Sequence, residues 1–192
     1  GDKNILMQAD YVYPFENGKK FEAGYRGTIR EINSDYLVEE IDLSGNFFPL
    51  ANFSNSFTYD ENVQALYSIF ENKMPNWGYQ LGLRVEQTFI KTFQQTTDEV
   101  NEKEYLNAFP SAFVSYNLNS DRTLQASYSR RLSRPRFWSL NPFSSFTDPR
   151  NIRRGNPDLD PEYTDSYEVG VLNNLKKSSI YLGGYYRYAT GV

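Results

Sequence analysis

Cysteine and histidine are both absent from the 192 residues. Without cysteine there is no disulfide framework and no thiolate metal site. Without histidine, the Ser-His-Asp arrangement and the usual zinc sites are excluded. Hydrolase and metalloenzyme readings lose their commonest parts. No stretch approaches the roughly 18 consecutive apolar residues that a membrane-crossing helix requires. A secretory leader is missing too, and the chain opens on Gly1-Asp2 rather than Met, as a mature or internal piece of a longer protein would. Charge of one sign is also lacking. The 20 basic and 24 acidic residues are scattered and leave a net charge of −4, which offers nucleic acid no basic stripe.

Aromatic residues, by contrast, are abundant: 16 Tyr and 14 Phe in a chain that is otherwise polar. Two architectures accommodate that pairing. One is a barrel with a wet lumen and aromatic girdles where its wall meets the lipid headgroups. The other is a soluble β-sandwich with many surface tyrosines. Composition leaves the choice open.

Period-two alternation recurs along the chain, and helical periodicity does not. Over 77–89, Trp77, Tyr79, Leu81, Leu83, Val85 and Phe89 share one face, interrupted by Gln87. Gly78, Gln80, Gly82, Arg84, Glu86 and Thr88 take the other. Over 20–30, Phe21, Ala23, Tyr25 and Ile29 oppose Lys20, Glu22, Gly24, Arg26, Thr28 and Arg30. Over 123–132, Leu124, Ala126, Tyr128 and Leu132 oppose Thr123, Gln125, Ser127, Ser129 and Arg131. A strand with one apolar and one charged face is covered on one side only. Weaker patterns place Ile5, Met7, Ala9, Tyr11 and Tyr13 together over 4–13, and Val63, Ala65, Tyr67 and Ile69 together over 61–72. Further strands are expected at 105–117, 163–172 and 178–190, the last with tyrosines on both faces. The total is about eight.

Connections between these strands alternate in length. Turn chemistry marks the short ones at 15–19, 74–76, 119–122 and 173–177, and the long ones cover 33–59, 92–104 and 133–161. Long loops gathered at one end suit an outer-membrane barrel rather than a sandwich. In hydrocarbon every backbone N–H and C=O must pair internally, so the sheet closes on itself. One lane then meets lipid and the other meets water. The expectation is an all-β, antiparallel up-and-down meander forming part of a transmembrane β-barrel. It requires the Trp77-to-Phe89 row to point outward. Arg130 falls in the apolar lane of its strand; it lies toward the long-loop end, where the cost of a charge fades.

Around the third long loop the sequence becomes specific. Tyr128-Ser129-Arg130-Arg131 is followed by Arg134-Pro135-Arg136-Phe137-Trp138, Leu140-Asn141-Pro142-Phe143 and Asp148-Pro149. Then come Gly155-Asn156-Pro157-Asp158-Leu159-Asp160-Pro161-Glu162-Tyr163 and Ser166-Tyr167-Glu168-Val169-Gly170. Together with the strand Arg84-Val85-Glu86-Gln87-Thr88 and the opening Phe109-Pro110-Ser111, these resemble the barrel of TonB-dependent receptors, in its outer-membrane β-barrel branch of Gram-negative bacteria. The resemblance runs through essentially the whole chain. It implies a barrel of about 22 strands, an N-terminal plug and a segment that engages TonB, importing a nutrient such as an iron chelate or glycan. This chain shows no recognisable plug or TonB-contacting segment, so residues 1–192 read as a single partial barrel segment. The partners implied are outer-membrane lipid, the remainder of its own barrel and plug, and TonB through the missing N-terminal part. Nucleic acid and cofactors are not expected.

Arg130, Arg131, Arg134, Arg136, Arg150, Arg153 and Arg154 form a basic neighbourhood. Their forked guanidinium groups suit an anionic ligand or lipopolysaccharide phosphates; alternatively they pair internally with Asp148, Asp158, Asp160 and Glu162 to order the loop. Phe137, Trp138, Phe143 and Phe146 either stack on a sugar ring or pack within the loop. Arg134, Arg136, Trp138, Arg150, Arg153 and Arg154 are the candidates for a ligand-binding mouth. Asp158, Asp160 and Glu162 carry hard oxygens suited to Ca²⁺, but their spacing matches no EF-hand and the interleaved prolines favour an extended turn. No catalytic or metal residue is expected, and the chain is read as a non-enzyme. Two alternatives stay open: a soluble or surface β-sandwich that binds glycans, and a complete eight-stranded anchor barrel.

Overall fold

The computed structural model describes residues 1–50, 54–141 and 155–191. Ten strands are present: β1 (Asp2–Pro14), β2 (Lys19–Tyr36), β3 (Glu39–Ile41), β4 (Phe47–Pro49), β5 (Asn55–Lys73), β6 (Trp77–Gln94), β7 (Glu99–Asn117), β8 (Arg122–Ser133), β9 (Glu162–Leu175) and β10 (Ser178–Thr190). Eight of them form one sheet in the order β1-β2-β5-β6-β7-β8-β9-β10, each antiparallel to its neighbours. The remaining pair, β3 and β4, makes a small hairpin inside the first long loop. One short helix, α1 (Phe137–Leu140), lies in the third. Among the described residues no ladder joins β1 to β10. The turns are stepped along the sheet: Pro14 aligns through Lys20 and Glu71 with Gln80, further up β6 than Gly78 beside the next turn. Such a stagger is what a tilted barrel wall needs.

Burial identifies the two faces. Trp77, Leu81, Leu83 and Phe89 are 43–51% exposed, whereas Glu86 and Thr88 in the opposite lane are 5% and 0% exposed. No second sheet covers the apolar row among the described residues. The Trp77-to-Phe89 row therefore points outward, and the sheet is inverted relative to a soluble protein. Burial of this kind removes the glycan-binding sandwich, whose aromatics would lie in a dry interior. Register extends the outer lane across the sheet: Tyr11, Ala23, Ser68, Leu83 and Pro110 follow one another from strand to strand.

β5 departs from expectation. Its apolar row Val63, Ala65 and Tyr67 lies opposite Thr88, Glu86 and Arg84, on the inner face. The outer lane of β5 is instead Asn62, Gln64, Leu66, Ser68 and Phe70. The reason is packing: the inward row continues into Phe57 and Tyr59, which are buried with α1. Further down, the Tyr67 hydroxyl donates to Asp10, over Gly24, where an added Cβ would stand 2.7 Å from Asp10 Oδ1. Outward amides are satisfied locally, with the Tyr25 hydroxyl donating to Gln64 Oε1 and Gln64 Nε2 to Asn62 Oδ1. Alternation shows that a strand has two faces, and tertiary contacts choose which one is wet.

The second long loop is also corrected. Strands β6 and β7 pair as far as Gln94 and Glu99, so 92–104 shrinks to a turn over 95–98 with Asp98 at φ 54°. The outer lane there is charged: Lys91 stands opposite Glu102, with Nζ 2.8 Å from Oε1, and Gln87 Nε2 donates to Glu104 Oε1 at 2.8 Å. Eighteen or nineteen residues of β2, β5, β6 and β7 extend roughly 60 Å. An apolar band of about 25 Å accounts for part of that; the rest rises beyond it with a charged outer face and an inner face on which Ile90, Thr92 and Gln94 are buried.

Between β7 and β8 the ladder is short, running from Asn117 opposite Thr123 to Ser111 opposite Ser129. It stops beside Pro110, which has no N–H to contribute. Beyond that point β8 pairs with β9 alone, and the long-loop half of β7 is free to take other partners. Arg130, the misfit of the apolar lane, stands opposite Asp165 with its guanidinium 5.1 Å from the Tyr163 ring centroid. In β10, the two tyrosine-bearing faces resolve as Ile180, Leu182, Tyr186 and Tyr188 with the outer lane, and Tyr181, Tyr185 and Arg187 with the inner.

Candidate functional site

The third long loop turns back from β8 onto the inner face of β5, β6 and β7. Helix α1 supplies the anchors. Phe137 and Leu140, one turn apart and hence on one side, are both buried against Phe57, Tyr59 and Ile90. Ring centroids of Phe57 and Tyr59 lie 5.4 and 6.1 Å from that of Phe137. Ile90, Tyr105, Leu140, Pro157 and Leu159 close around a void of about 10 Å³, no more than one water needs. This contact is packing rather than a ligand pocket.

Arg134 fixes the loop electrostatically. Its Nη2 donates to Glu86 and, at 3.1 Å, to Thr88 Oγ1, while Nε donates to the Tyr105 hydroxyl at 3.2 Å. Glu61 Oε1 is 3.6 Å from Nε. On its other oxygen, Glu86 accepts from Arg84 Nη2 at 2.7 Å. Burial pulls the Arg134 guanidinium below its ordinary value, and the charge of Glu61 opposes that shift; arginine remains protonated regardless. Its partners are thus strand glutamates rather than the loop acids anticipated from the sequence. Glu61 and Glu86 carried no signal of their own, because each is one polar residue in an alternating strand.

The return limb is latched to the same half. Gly155 N–H donates to Asn141 O at 2.9 Å and Asn156 N–H to Ser139 O at 2.7 Å. A Cβ on Gly155 would stand 2.8 Å from Ser139 O, so only glycine permits this approach. Asn101 Nδ2 donates to Asp158 Oδ1 at 3.1 Å, and Lys103 Nζ donates to Leu159 O at 2.8 Å and Asp160 Oδ1 at 3.0 Å. Both aspartates are engaged with β7, and the extended turn is the arrangement observed.

The mouth candidates therefore separate. Arg134 is ion-paired in the wall. Arg136 is exposed at the start of α1, and Trp138 is 74% exposed with its ring 5.0 Å from that of Phe137. Arg150, Arg153 and Arg154 lie outside the described residues, as do Phe143, Phe146 and Asp148.

Comparison with known proteins is consistent across sequence and structure. The model of the "Outer membrane protein beta-barrel family" matches residues 1–192. No curated protein sequence matches significantly. Among solved structures, the copper transporter OprC superposes with a TM-score of 0.74 at 13% identity, over 98% of this chain and 30% of that one. The ferric citrate transporter FecA in its unliganded form gives 0.66 at 14% identity, over 96% and 26%. The siderophore receptor PiuA from Acinetobacter baumannii gives 0.58 at 13%, over 95% and 32%. The chain spans under a third of the length of each.

Proposed function

Because the chain belongs to the outer membrane protein β-barrel family, we propose that it is a wall segment of a larger nutrient importer of the TonB-dependent-receptor type. The ligand class is an iron chelate, a glycan or a similar nutrient. The remainder of the barrel, the plug and the TonB-engaging segment are supplied by the rest of the protein. An open eight-stranded sheet and superposition on part of larger barrels support this over a complete anchor barrel. Transport, rather than catalysis, is the activity in view.

One observation carries the reading: the third loop folds inward at the long-loop end and holds Arg136 and Trp138 exposed at the rim. In this arrangement Arg134 positions the rim, Arg136 draws anionic groups, and Trp138 offers a flat apolar surface. The test is accumulation of labelled ferric chelates, copper and oligosaccharides by cells carrying or lacking the full-length gene. At least one probe depends on the gene, and R136A with W138A lowers its accumulation about tenfold. Equal accumulation of every probe with and without the gene defeats the proposal.

A further inference from the structure

The inner wall is neutralised unevenly. On the half formed by β2 to β7, Lys20, Lys73, Arg84 and Lys103 each meet a carboxylate, as does Arg134 at the loop. On the other half, the inward arginines Arg131 and Arg187 form no ion pair among the described residues; Arg187 has only the Tyr185 ring, 4.9 Å away. Arg26 also lacks an ion pair, but its cross-strand neighbours are Gln8 and Ala65, which give an anion little to hold.

Arg131 and Arg187 have better company. Register places Ser129, Ser166 and Arg187 in one inward row and Arg131, Thr164 and Ala189 in the next. Two guanidinium groups thus stand at diagonal corners of a patch with the Ser166 and Thr164 hydroxyls in its middle and the Ser129 hydroxyl at a third corner. Arg131, Arg187 and these three hydroxyl residues line a recess of about 460 Å³. Adjacent strands are about 4.8 Å apart and residues rise about 3.4 Å along each, so across this diagonal the two long side chains start roughly 12 Å from each other and can converge on one small ion. Guanidinium forks fit carboxylate and phosphate oxygens, and hydroxyls donate to the oxygens left over. Glu168 is the single carboxylate in the lining. Its Oε1 already accepts from the Tyr181 hydroxyl at 2.8 Å, and one negative charge faces two positive ones.

We propose that this recess is an oxyanion station for a small carboxylate- or phosphate-bearing solute in the lumen, separate from the rim at Arg136 and Trp138. It rests on the reading of the barrel as an importer. Two adjacent arginines divide the work by strand geometry: Arg130 belongs to the outer lane and Arg131 to this recess.

The test is calorimetric titration of the purified full-length protein in detergent at low ionic strength, with inorganic phosphate, succinate and, as a neutral control, maltose. Both anions bind saturably and maltose does not. The variant R131Q with R187Q weakens both anions about tenfold or more, while R131K with R187K, which keeps the charges, weakens them less. Heat-modifiable gel migration verifies that each variant is folded. Absence of anion binding by the unaltered protein overturns the station, and so does binding of maltose as strong as that of the anions. Unchanged affinity in the glutamine variant has the same consequence. An acidic segment of the protein's own remainder seated in the recess would produce the first of these results. Because titration reads the recess alone, a protein that accumulates its nutrient yet ignores both anions removes this inference and leaves the importer reading intact.

Discussion

The two halves of the inner wall solve different problems with the same backbone. β2, β5, β6 and β7 are 18–19 residues long, and the inner face of β5 to β7 is covered by the folded third loop. From β8 to β10 they are 12–14 residues long and no described residue covers the inner face. Lipid cannot be the cause of the difference, since the apolar band has one thickness for every strand. What differs is the inside. Long strands rise out of the membrane where a loop packs on them and where charges such as Lys91 and Glu102 pair across the ladder. Short ones end where no described residue covers them.

Several substitutions break or sharpen that contrast. The largest effect belongs to Arg134→Ala, which leaves Glu61 and Glu86 facing each other across a half-buried gap. Losing one partner of such a cluster costs about 3–5 kcal/mol. Hydrogen exchange should show residues 134–141 and 155–161 undocked while the strand amides stay protected; continued protection of Gly155 and Asn156 would contradict the anchoring role. Next comes Leu83→Arg, in mid-lane on the outer face. It should weaken insertion into lipid vesicles by about 2–4 kcal/mol, whereas Gln87→Arg, nearer the charged rows, should cost about 0–1 kcal/mol. Equal penalties would mean that the boundary read from Lys91 and Glu102 is misplaced.

A smaller effect is expected of Pro110→Ala, which restores a backbone donor. If proline alone ends the β7–β8 ladder, exchange slows at the Arg130 amide, which faces β7, with a gain of about 0.5–1 kcal/mol. No slowing would assign the splay to Tyr163, whose hydroxyl reaches across to Asn107 Oδ1 at 2.6 Å. The smallest effect concerns Asp42 in the β3–β4 hairpin. Hydrogen bonds to its carboxylate, first from the Asn46 backbone and then from the Asn46 side chain, hold its pKa below the usual aspartate value. A depressed folded pKa means that the contribution is complete above the unfolded value and is lost as pH falls through the folded one. Exchange at the Ser44 and Asn46 amides should therefore quicken in that acid window beyond its intrinsic pH dependence, and D42N should remove the extra dependence.

Much of the fold was legible because lipid on one side and water on the other write a two-residue period into a strand. β1, β2, β6 and β8 show their outer lanes directly, and the row from Trp77 to Phe89 faces as expected. β5 misled because its inner lane is coated by α1 and so is as apolar as a lipid lane. The second long loop shrinks to a turn because its outer lane is charged and its inner lane meets the third loop through polar groups, Asn101 and Lys103, so no apolar lane announces the hairpin. Within the site, the motif around Arg134 and Trp138 flagged the right loop. Its partners, Glu61 and Glu86, come from strands 48 and more residues away in sequence, and no local pattern encodes such a meeting.

Alternation alone determined that this chain is built of strands with one greasy and one polar face, because successive side chains point to opposite sides of a strand. Tertiary structure decided which lane of β5 is dry, where β7 leaves β8, and that Arg134 is consumed by the wall while Arg131 and Arg187 have no ion pair among the described residues. Those outcomes depend on distances between residues far apart in the chain, and a charge acquires its role only when the groups facing it are in place.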